Sequence, residues 1–256
     1  MNRQESQVRL YFDRIATDYS SRYSTGRIYH SYFFNERLEE AVRGLDFEGK
    51  SILDVGAGSG ALYDYLKGHF QSFEYTATDI SSTMLETSNI PLANRRIGTL
   101  AEIQMPRHGF DFIFMLGVTS YMSLAEFQTH LELFQKYLNP GGKAVISFTH
   151  RRSIDHCFRF FLKLVLRPFT KTSFVVTQSF KTNAYSFPQI KTMLGQKFNI
   201  QRLVWLNQTC SPFNHLLPSS SVFLARCLKK WIANTLLFPL LSADFLVVFQ
   251  KNQSCL

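Results

Sequence analysis

Hydrophobic positions along this chain switch repeatedly between a helical and a strand period. In "ESQVRLYFDRIATDYSSR" (5–22), Val8, Tyr11, Phe12, Ile15 and Tyr19 recur three or four residues apart, which predicts an amphipathic helix. A second helix is expected over 30–44. "SILDV" (51–55) is a short, wholly apolar-flanked strand that runs into three closely spaced glycines, Gly56, Gly58 and Gly60. Residues 60–68 are helical in pattern, "FEYTATD" (73–79) is strand-like, and "SSTMLETS" opens a helix with serine capping chemistry. "RRIG" (95–98) is a short third strand and "FDFIFML" (110–116) a strongly apolar fourth. Ser123 and Glu126 form a capping-box pattern for a helix to about Leu138. "NPGG" (139–142) breaks that helix, and "KAVISFT" (143–149) is the fifth strand.

Strands alternating with helices at this spacing predict an α/β chain: a Rossmann-like, doubly wound, mostly parallel seven-stranded sheet with helices on both faces. Past residue 150 the pattern loosens. Helices are expected at 153–167, 187–195 and near 222–236, and strands at "FNIQRLVWL" (198–206) and "DFLVVFQ" (244–250). These last two strands would complete the sheet and leave a basic helical insert outside it. The organisation expected is one domain: lid helices over 1–45, a ligand-binding core over 46–150, and a basic, aromatic-rich region over 151–256 that closes the sheet.

Composition narrows the picture in two respects. No apolar run approaches the roughly 20 residues of a membrane span, and the N-terminus lacks a signal-peptide core, so a cytoplasmic protein is expected. Cys157, Cys210, Cys227 and Cys255 are scattered without metal-ligand spacing, so no metal site is predicted. The net charge of +9 is uneven. Residues 151–256 hold fourteen Lys and Arg against two acids, Asp155 and Asp244, a local net of +12. An asymmetry of that size points to an anionic partner: a substrate, a membrane face or a nucleic acid.

The chemistry concentrates at "ILDVGAGSG" (52–60). Ligands of open parallel sheets bind at the carboxyl ends of the strands, and the turn after strand one is such a place. Asp79 ends strand two, where a carboxylate accepts hydrogen bonds from the hydroxyls of an adenosine ribose. Glycine turn and ribose acid together predict an adenine-nucleoside cofactor, NAD or S-adenosylmethionine (SAM). Two details favour SAM. The spacing is G-x-G-x-G rather than the dinucleotide G-x-G-x-x-G, and Asp54, two residues ahead of Gly56, suits an ammonium group better than a pyrophosphate.

At these residues the chain resembles a known family. "ILDVGAGSG", "ATDISSTML", "FDFIFMLGV" and "LNPGGKAVIS" are similar, in order and spacing, to four successive motifs of the class I SAM-dependent methyltransferases. The resemblance covers roughly residues 50–150. It implies that Asp54, Gly56, Ala57, Gly58 and Gly60 hold the methionine part of SAM, that Asp79 binds the ribose, and that Ile80 and Met84 lie against the adenine. Thr99 and Leu100 would reach the adenine edge, although many relatives carry an acid where Thr99 stands. Leu116 and Gly117 would line the side of methyl transfer. The lead-in "VRLYFDRIATDYSSRY" is similar to the N-terminal helix of small-molecule methyltransferases of the quinone and magnesium-protoporphyrin types. That match makes Tyr11, Tyr19 and Tyr23 candidates for residues facing the site. Asp111, at the start of a strand, reads as structural.

In such an enzyme the sulfonium is an activated leaving group, so the protein mainly aligns the acceptor and excludes water. A general base is needed only if the acceptor must lose a proton; His150 and Tyr121, just past strands five and four, are the candidates, with Tyr19. The acceptor is expected to be a small or lipid-like molecule. Arg159, Lys163 and Arg167 make a cationic ridge on a helix otherwise rich in Phe and Leu, and Arg226, Lys229 and Lys230 repeat the pattern among Phe223, Leu224 and Trp231. Such helices either lie on an anionic membrane or form a lid with the apolar face packed on the sheet. A nucleic-acid acceptor ranks lower: "MLGVTSYM" lacks the Pro-Pro-aromatic tetrad of amino-group methylases, and no Pro-Cys nucleophile or RNA-binding module is present.

Overall fold

The computed structural model describes residues 3–19, 27–105, 109–166 and 181–252, with side chains of the helix at 154–166 described through Phe161. Tyr23, Arg167 and Cys255, and the side chain of Lys163, lie outside the described residues.

Two helices, α1 (Arg3–Tyr19) and α2 (Ile28–Val42), precede the sheet. Strand β1 (Lys50–Val55) leads through the glycine turn into α3 (Ala61–His69). Next come β2 (Phe73–Asp79), the short α4 (Ser82–Glu86), β3 (Arg95–Ile97) and β4 (Phe110–Met115). Helix α5 (Leu124–Tyr137) runs into β5 (Leu138–Thr149), followed by α6 (Ile154–Leu166) and α7 (Phe187–Leu194). Strand β6 (Phe198–Leu206), α8 (Phe213–Leu216), α9 (Pro218–Ile232), α10 (Phe238–Leu241) and β7 (Asp244–Lys251) complete the described order.

The seven strands form one sheet in the order β3-β2-β1-β4-β5-β7-β6. The five from β3 to β5 are parallel, and β7 is inserted antiparallel between β5 and β6. The mostly parallel, doubly wound expectation therefore holds, with an antiparallel edge. Two boundaries differ by several residues: α9 runs from Pro218 to Ile232 rather than near 222–236, and β5 begins at Leu138, opposite Phe110, so that the NPGG turn falls within the strand, where the register to β4 shifts. The two short helices α8 and α10 carry no helical period long enough to read from the sequence.

Alternation along the strands builds a core on each face of the sheet. Ile113 and Met115 of β4 meet Phe127, Leu131 and Phe134 of α5, while Phe112 and Phe114 turn the other way toward Phe47 and Leu66. Phe245, Val247 and Phe249 of β7 join the first core, and Leu246 and Val248 the second. Helix α5 starts where expected. The Ser123 hydroxyl accepts from the Glu126 N–H, and the Glu126 carboxylate accepts from the Ser123 N–H, the reciprocal cap that satisfies two otherwise orphaned donors.

Asp111 is structural, as read from its position. Its carboxylate accepts from the Ser51 N–H (2.9 Å), the Ser51 hydroxyl (2.9 Å) and the Asn139 side-chain amide (3.0 Å), tying β1, β4 and the turn before residue 143 together. Burial works against its charge, but the hydrogen bonds from Ser51 and Asn139 outweigh it and hold its pKa below the usual value. Asp111→Ala is expected to lower stability at neutral pH by about 1–3 kcal/mol, the cost of losing a hydrogen-bonded charge. The deficit should shrink as pH falls through the Asp111 pKa, because protonation already removes the native advantage. Urea denaturation of both proteins between pH 7 and 3 checks this; a pH-independent difference would refute the ionic part of the argument.

Candidate active site

A cavity of about 480 Å³ opens at the carboxyl ends of β1 to β5, beneath α1, α2 and the first turns of α6. Its floor is the glycine turn. Backbone N–H groups of Gly56 and Ala57 donate to the Thr78 carbonyl, which draws the turn against the end of β2. Gly56 has φ +73°, and a methyl group there would overlap the Cγ2 of Val118, so only glycine lets the turn lie flush with the loop after β4. Gly56 and Gly58 line the cavity, whereas Ala57 and Gly60 stand behind it. Gly60, at φ +83°, is the left-handed residue that starts α3.

Asp79 sits at the rim of this floor. One carboxylate oxygen accepts from the Gly58 N–H (2.8 Å) and the other from the Ser81 N–H (2.9 Å). A carboxylate can accept about four hydrogen bonds, so this cavity-lining group has acceptor capacity beyond these donors. Desolvation raises its pKa to about 6 against the lowering effect of those two donors, and the Asp13 charge pushes the same way as burial. Ile80, Met84, Thr99, Leu100, Leu116 and Gly117 all line the cavity, so the sequence-derived cofactor residues converge here with three exceptions: Asp54, Ala57 and Gly60. Thr99 is already engaged, its hydroxyl donating to Glu102 at 2.9 Å.

Asp54 departs from expectation. It shares a sheet face with Ile52, and the parallel register sets Tyr75 on the same face of β2. The Tyr75 hydroxyl donates to Asp54 at 2.6 Å, both groups are buried, and Asp54 does not line the cavity. Burial raises its pKa to about 7, the Tyr75 hydrogen bond opposes this, and the nearby Asp79 adds to it. The structure thus places this carboxyl against Tyr75, behind the cavity wall rather than on it.

The cation that does face the cavity was not picked out from sequence. Arg37 of α2 lies over the rings of Phe33 (5.0 Å) and Phe34 (4.4 Å), and its guanidinium reaches Gly117 so closely that a Cβ there would sit 2.7 Å from Nη1. Among the described residues it makes no hydrogen bond or ion pair, which leaves its donors available. An arginine within a predicted helix has no local signature; only its spatial position beside the end of β4 marks it.

The lid is held by polar contacts. The Ser81 hydroxyl donates to Asp13 of α1 (2.6 Å), and the Gln4 side chain donates to the Tyr121 carbonyl (2.9 Å). Tyr19 lines the cavity, as does Phe12, while Tyr11 does not; the Phe12 ring meets Tyr121 edge-on at 5.3 Å.

Of the candidate bases, Tyr121 lines the cavity, but burial and the neighbouring Tyr19 and Tyr11 push its pKa well above that of a free phenol. It is a neutral hydrogen-bonding group rather than a base at neutral pH. His150 is buried away from the cavity, with its ring against Trp205 (5.0 Å) and Phe245 (5.6 Å) and Nδ1 within 3.1 Å of the Ser242 carbonyl. Strand alternation puts it on the face of Phe148, inside the core under α7, and this removes it as a catalytic candidate. Four other histidines, His30, His130, His156 and His215, line the cavity instead. Burial, then the charges of Arg159 and Arg27, lower the His215 pKa and keep its imidazole neutral. Beside them Asp155 accepts from Arg159 (2.7 Å) and from the Ser211 N–H (2.7 Å).

The strand order, the ligand cleft at the carboxyl ends and the glycine turn with its acid define a class I methyltransferase fold. Comparison with known proteins agrees. Residues 53–144 match the family described as a methyltransferase domain. A fatty-acid O-methyltransferase of Mycolicibacterium smegmatis is 29% identical over 130 residues, 49% of this chain and 43% of that protein. Protein RP028 of Rickettsia prowazekii is 31% identical over 108 residues, 40% of this chain and 43% of that protein. The matched part thus spans less than half the length of these curated relatives. Magnesium protoporphyrin IX methyltransferase (ChlM) of Synechocystis PCC 6803, solved with bound S-adenosylhomocysteine (SAH), superposes with a TM-score of 0.64 over 97% of this chain and all of that one; at 14% identity the likeness is one of fold. Residues 53–144 thus carry a methyltransferase domain, and the fold built around them is that of the class I SAM-dependent methyltransferases.

The residues present fit SAM. The glycine turn leaves room where a side chain would intrude, Asp79 has acceptor capacity for a ribose, and Arg37, whose charge also acts on the buried Asp244, offers hydrogen-bond donors for the α-carboxylate of a methionine. Because the Asp79 pKa is near 6, its capacity to accept two ribose hydroxyls is present above that pH and lost as the group protonates. SAH affinity, measured by calorimetry, is therefore expected to fall as pH drops from 7 to 5. Asp54 and Asp79, both with folded pKa values above the ordinary carboxylate value, shift fold stability in the opposite sense, favouring it below about pH 4 and losing that contribution as pH rises through 6 and 7. Binding that strengthens toward pH 5 would exclude the ionised Asp79 as the ribose acceptor.

Proposed function

We propose that the protein transfers a methyl group from SAM to a small, lipid-like acceptor held in the same cavity. The observation that carries this reading is that one cavity is lined both by the Asp79 carboxylate at the glycine turn and by the Arg37 guanidinium beside Gly117. When bound, SAM supplies an activated methyl group on a sulfonium. The chain's own residues then have separate tasks. Asp79 holds the ribose and Arg37 the amino-acid carboxylate; Ile80, Met84 and Leu100 enclose the adenine. Helix α1, latched by Asp13 and Gln4, keeps water out.

The remaining wall suits an acceptor with an apolar body and a polar end. Phe12, Phe33 and Phe34 supply aromatic surface, while Arg159, His156 and His215 gather at the side of α6. The volume lies in the range of small-ligand pockets. Similarity to a fatty-acid O-methyltransferase supports an acceptor of this kind. Where the acceptor must shed a proton, the neutral imidazole of His215, beside Arg159 and Asp155, is a base on the cavity wall that takes the place of His150.

Two substitutions and one assay test the reading. Asp79→Ala is expected to weaken SAH binding by about 1–3 kcal/mol, and Arg37→Met by a similar amount, with the fold retained; calorimetry with SAH, and with NAD as a control, reads both. Unchanged affinity in either variant removes the role given to that residue, and NAD binding without SAH binding would sink the cofactor assignment. Incubation of the protein with methyl-labelled SAM and cell extract, then separated into organic, aqueous and nucleic-acid fractions, should place the label in the organic fraction. Label confined to nucleic acid overturns the acceptor class.

A further inference from the structure

Helices α6 and α9 are inside out. In a water-soluble domain the apolar stripe of a surface helix faces the core and the charged stripe faces water. On α6 the buried or cavity-lining residues are Asp155, His156 and Arg159, while Ile154, Phe160 and Phe161 are exposed. On α9 the small residues Val222 and Ala225 pack inward, and the charged Lys229 turns inward with them. Its Nζ lies 2.9 Å from Glu40 and 3.2 Å from Glu36, two buried carboxylates of α2. Phe223, Leu224 and Trp231 point the opposite way, at 69%, 57% and 80% exposure. A lid packed on the sheet through its apolar face would show the reverse. The ionic contacts to α2 fix the orientation of α9, so the exposed face does not follow from a free rotation of the helix.

The outward apolar residues are also collected in one place. Of the seventeen large apolar side chains exposed among the described residues, twelve lie between Ile154 and Leu240. Helix α10 packs against both α6 and α9, and α9 against α8, so the helices that carry these exposed residues adjoin one another. Isolated exposed hydrophobics are ordinary, but a collected patch of this kind marks a surface that meets another apolar phase. The cations that flank it, Arg151, Arg152, Arg226 and Lys230, are exposed as well.

We propose that this face, formed by α6, α8, α9 and α10, docks on an anionic lipid bilayer, its aromatic and leucine side chains entering the interface and its flanking Arg and Lys meeting the headgroups. Charge selects the occupant. The region that carries the patch has a net charge of +12. Two copies meeting through it would set like charges against each other, whereas anionic lipid supplies both the apolar layer and the counter-charge. Tryptophan with flanking lysine and arginine is the side-chain set that favours a bilayer interface. The polar inner face of α6 lines the cavity, so a lipid-like acceptor would leave the bilayer on one side of this helix and enter the site on the other. That last step rests on the methyl-transfer reading; docking does not.

The test uses the full chain with vesicles of phosphatidylcholine alone and of phosphatidylcholine mixed with phosphatidylglycerol. Sedimentation is expected to show affinity for the anionic vesicles roughly tenfold or more above that for the neutral ones. Tryptophan emission should shift to the blue on binding and be quenched by lipids brominated in the acyl chain. A Phe223→Ser, Trp231→Ser double variant changes only exposed positions; it should lose roughly tenfold or more in vesicle affinity while binding SAH as before. Three results overturn the proposal: no binding to anionic vesicles, vesicle binding that the double variant retains in full, or a concentration-dependent dimer whose tryptophan emission is already shifted without lipid. Loss of SAH binding by the unsubstituted chain would fail the cofactor reading instead, and leaves vesicle binding to be judged on its own.

Discussion

A buried carboxylate has to be given donors, and in this protein meeting that demand at Glu36 fixes the geometry of half the cavity. Glu36 accepts from the Asn207 N–H at the end of β6 (2.9 Å), from Lys229 of α9 (3.2 Å) and from the Tyr32 hydroxyl of its own helix (3.2 Å). Taken out of water and left unpaired, such a group would be strongly destabilising; given three donors, two of them from other parts of the fold, it specifies how those parts sit on α2. Helix α2 is thereby locked in rotation, and the neighbouring residue Arg37 is aimed at the end of β4. Helix α9 is locked too, with its charged residue inward. The cavity's cation and the apolar outer face are two results of one ionic contact.

The site depends on close approach as much as on charge. Arg37 reaches its place because Gly117 has no side chain, and the glycine turn reaches the loop after β4 because Gly56 has none. Asp79 then ties the turn to the N-terminus of α4 through Gly58 and Ser81. These contacts are made by backbone, so the side chains named by the sequence motif are fewer than the groups that shape the pocket.

Much of this architecture was legible in one dimension. Alternating strands and helices gave the sheet its strand content and mostly parallel character, the Ser123–Glu126 pattern located a helix start to the residue, and Asp79 could be placed at a strand end after a glycine turn. What escaped was everything set by facing. Asp54 precedes the turn by two residues, as a ligand group would, yet register puts Tyr75 beneath it and encloses it. His150 follows a strand end as a base would, yet it shares parity with Phe148 and enters the core. Arg37 looked like any charge on an amphipathic helix. The basic helices were recognised as amphipathic, but periodicity does not say which stripe faces inward. That depends on the Glu36–Lys229 pair, whose members are 193 residues apart.

That separation also has a consequence in time. A chain emerging at about 5–20 residues per second exposes Glu36 for roughly 10–40 seconds before Lys229 exists to meet it. Strands β1 to β5 can pair during that interval, since everything they need is already synthesised. The lid helix cannot take its final orientation until the C-terminal helices arrive. The nascent protein is therefore born open: its ligand floor forms first, and the wall that carries Arg37 is set in place only once Lys229 has been made, when the apolar outer face is also completed.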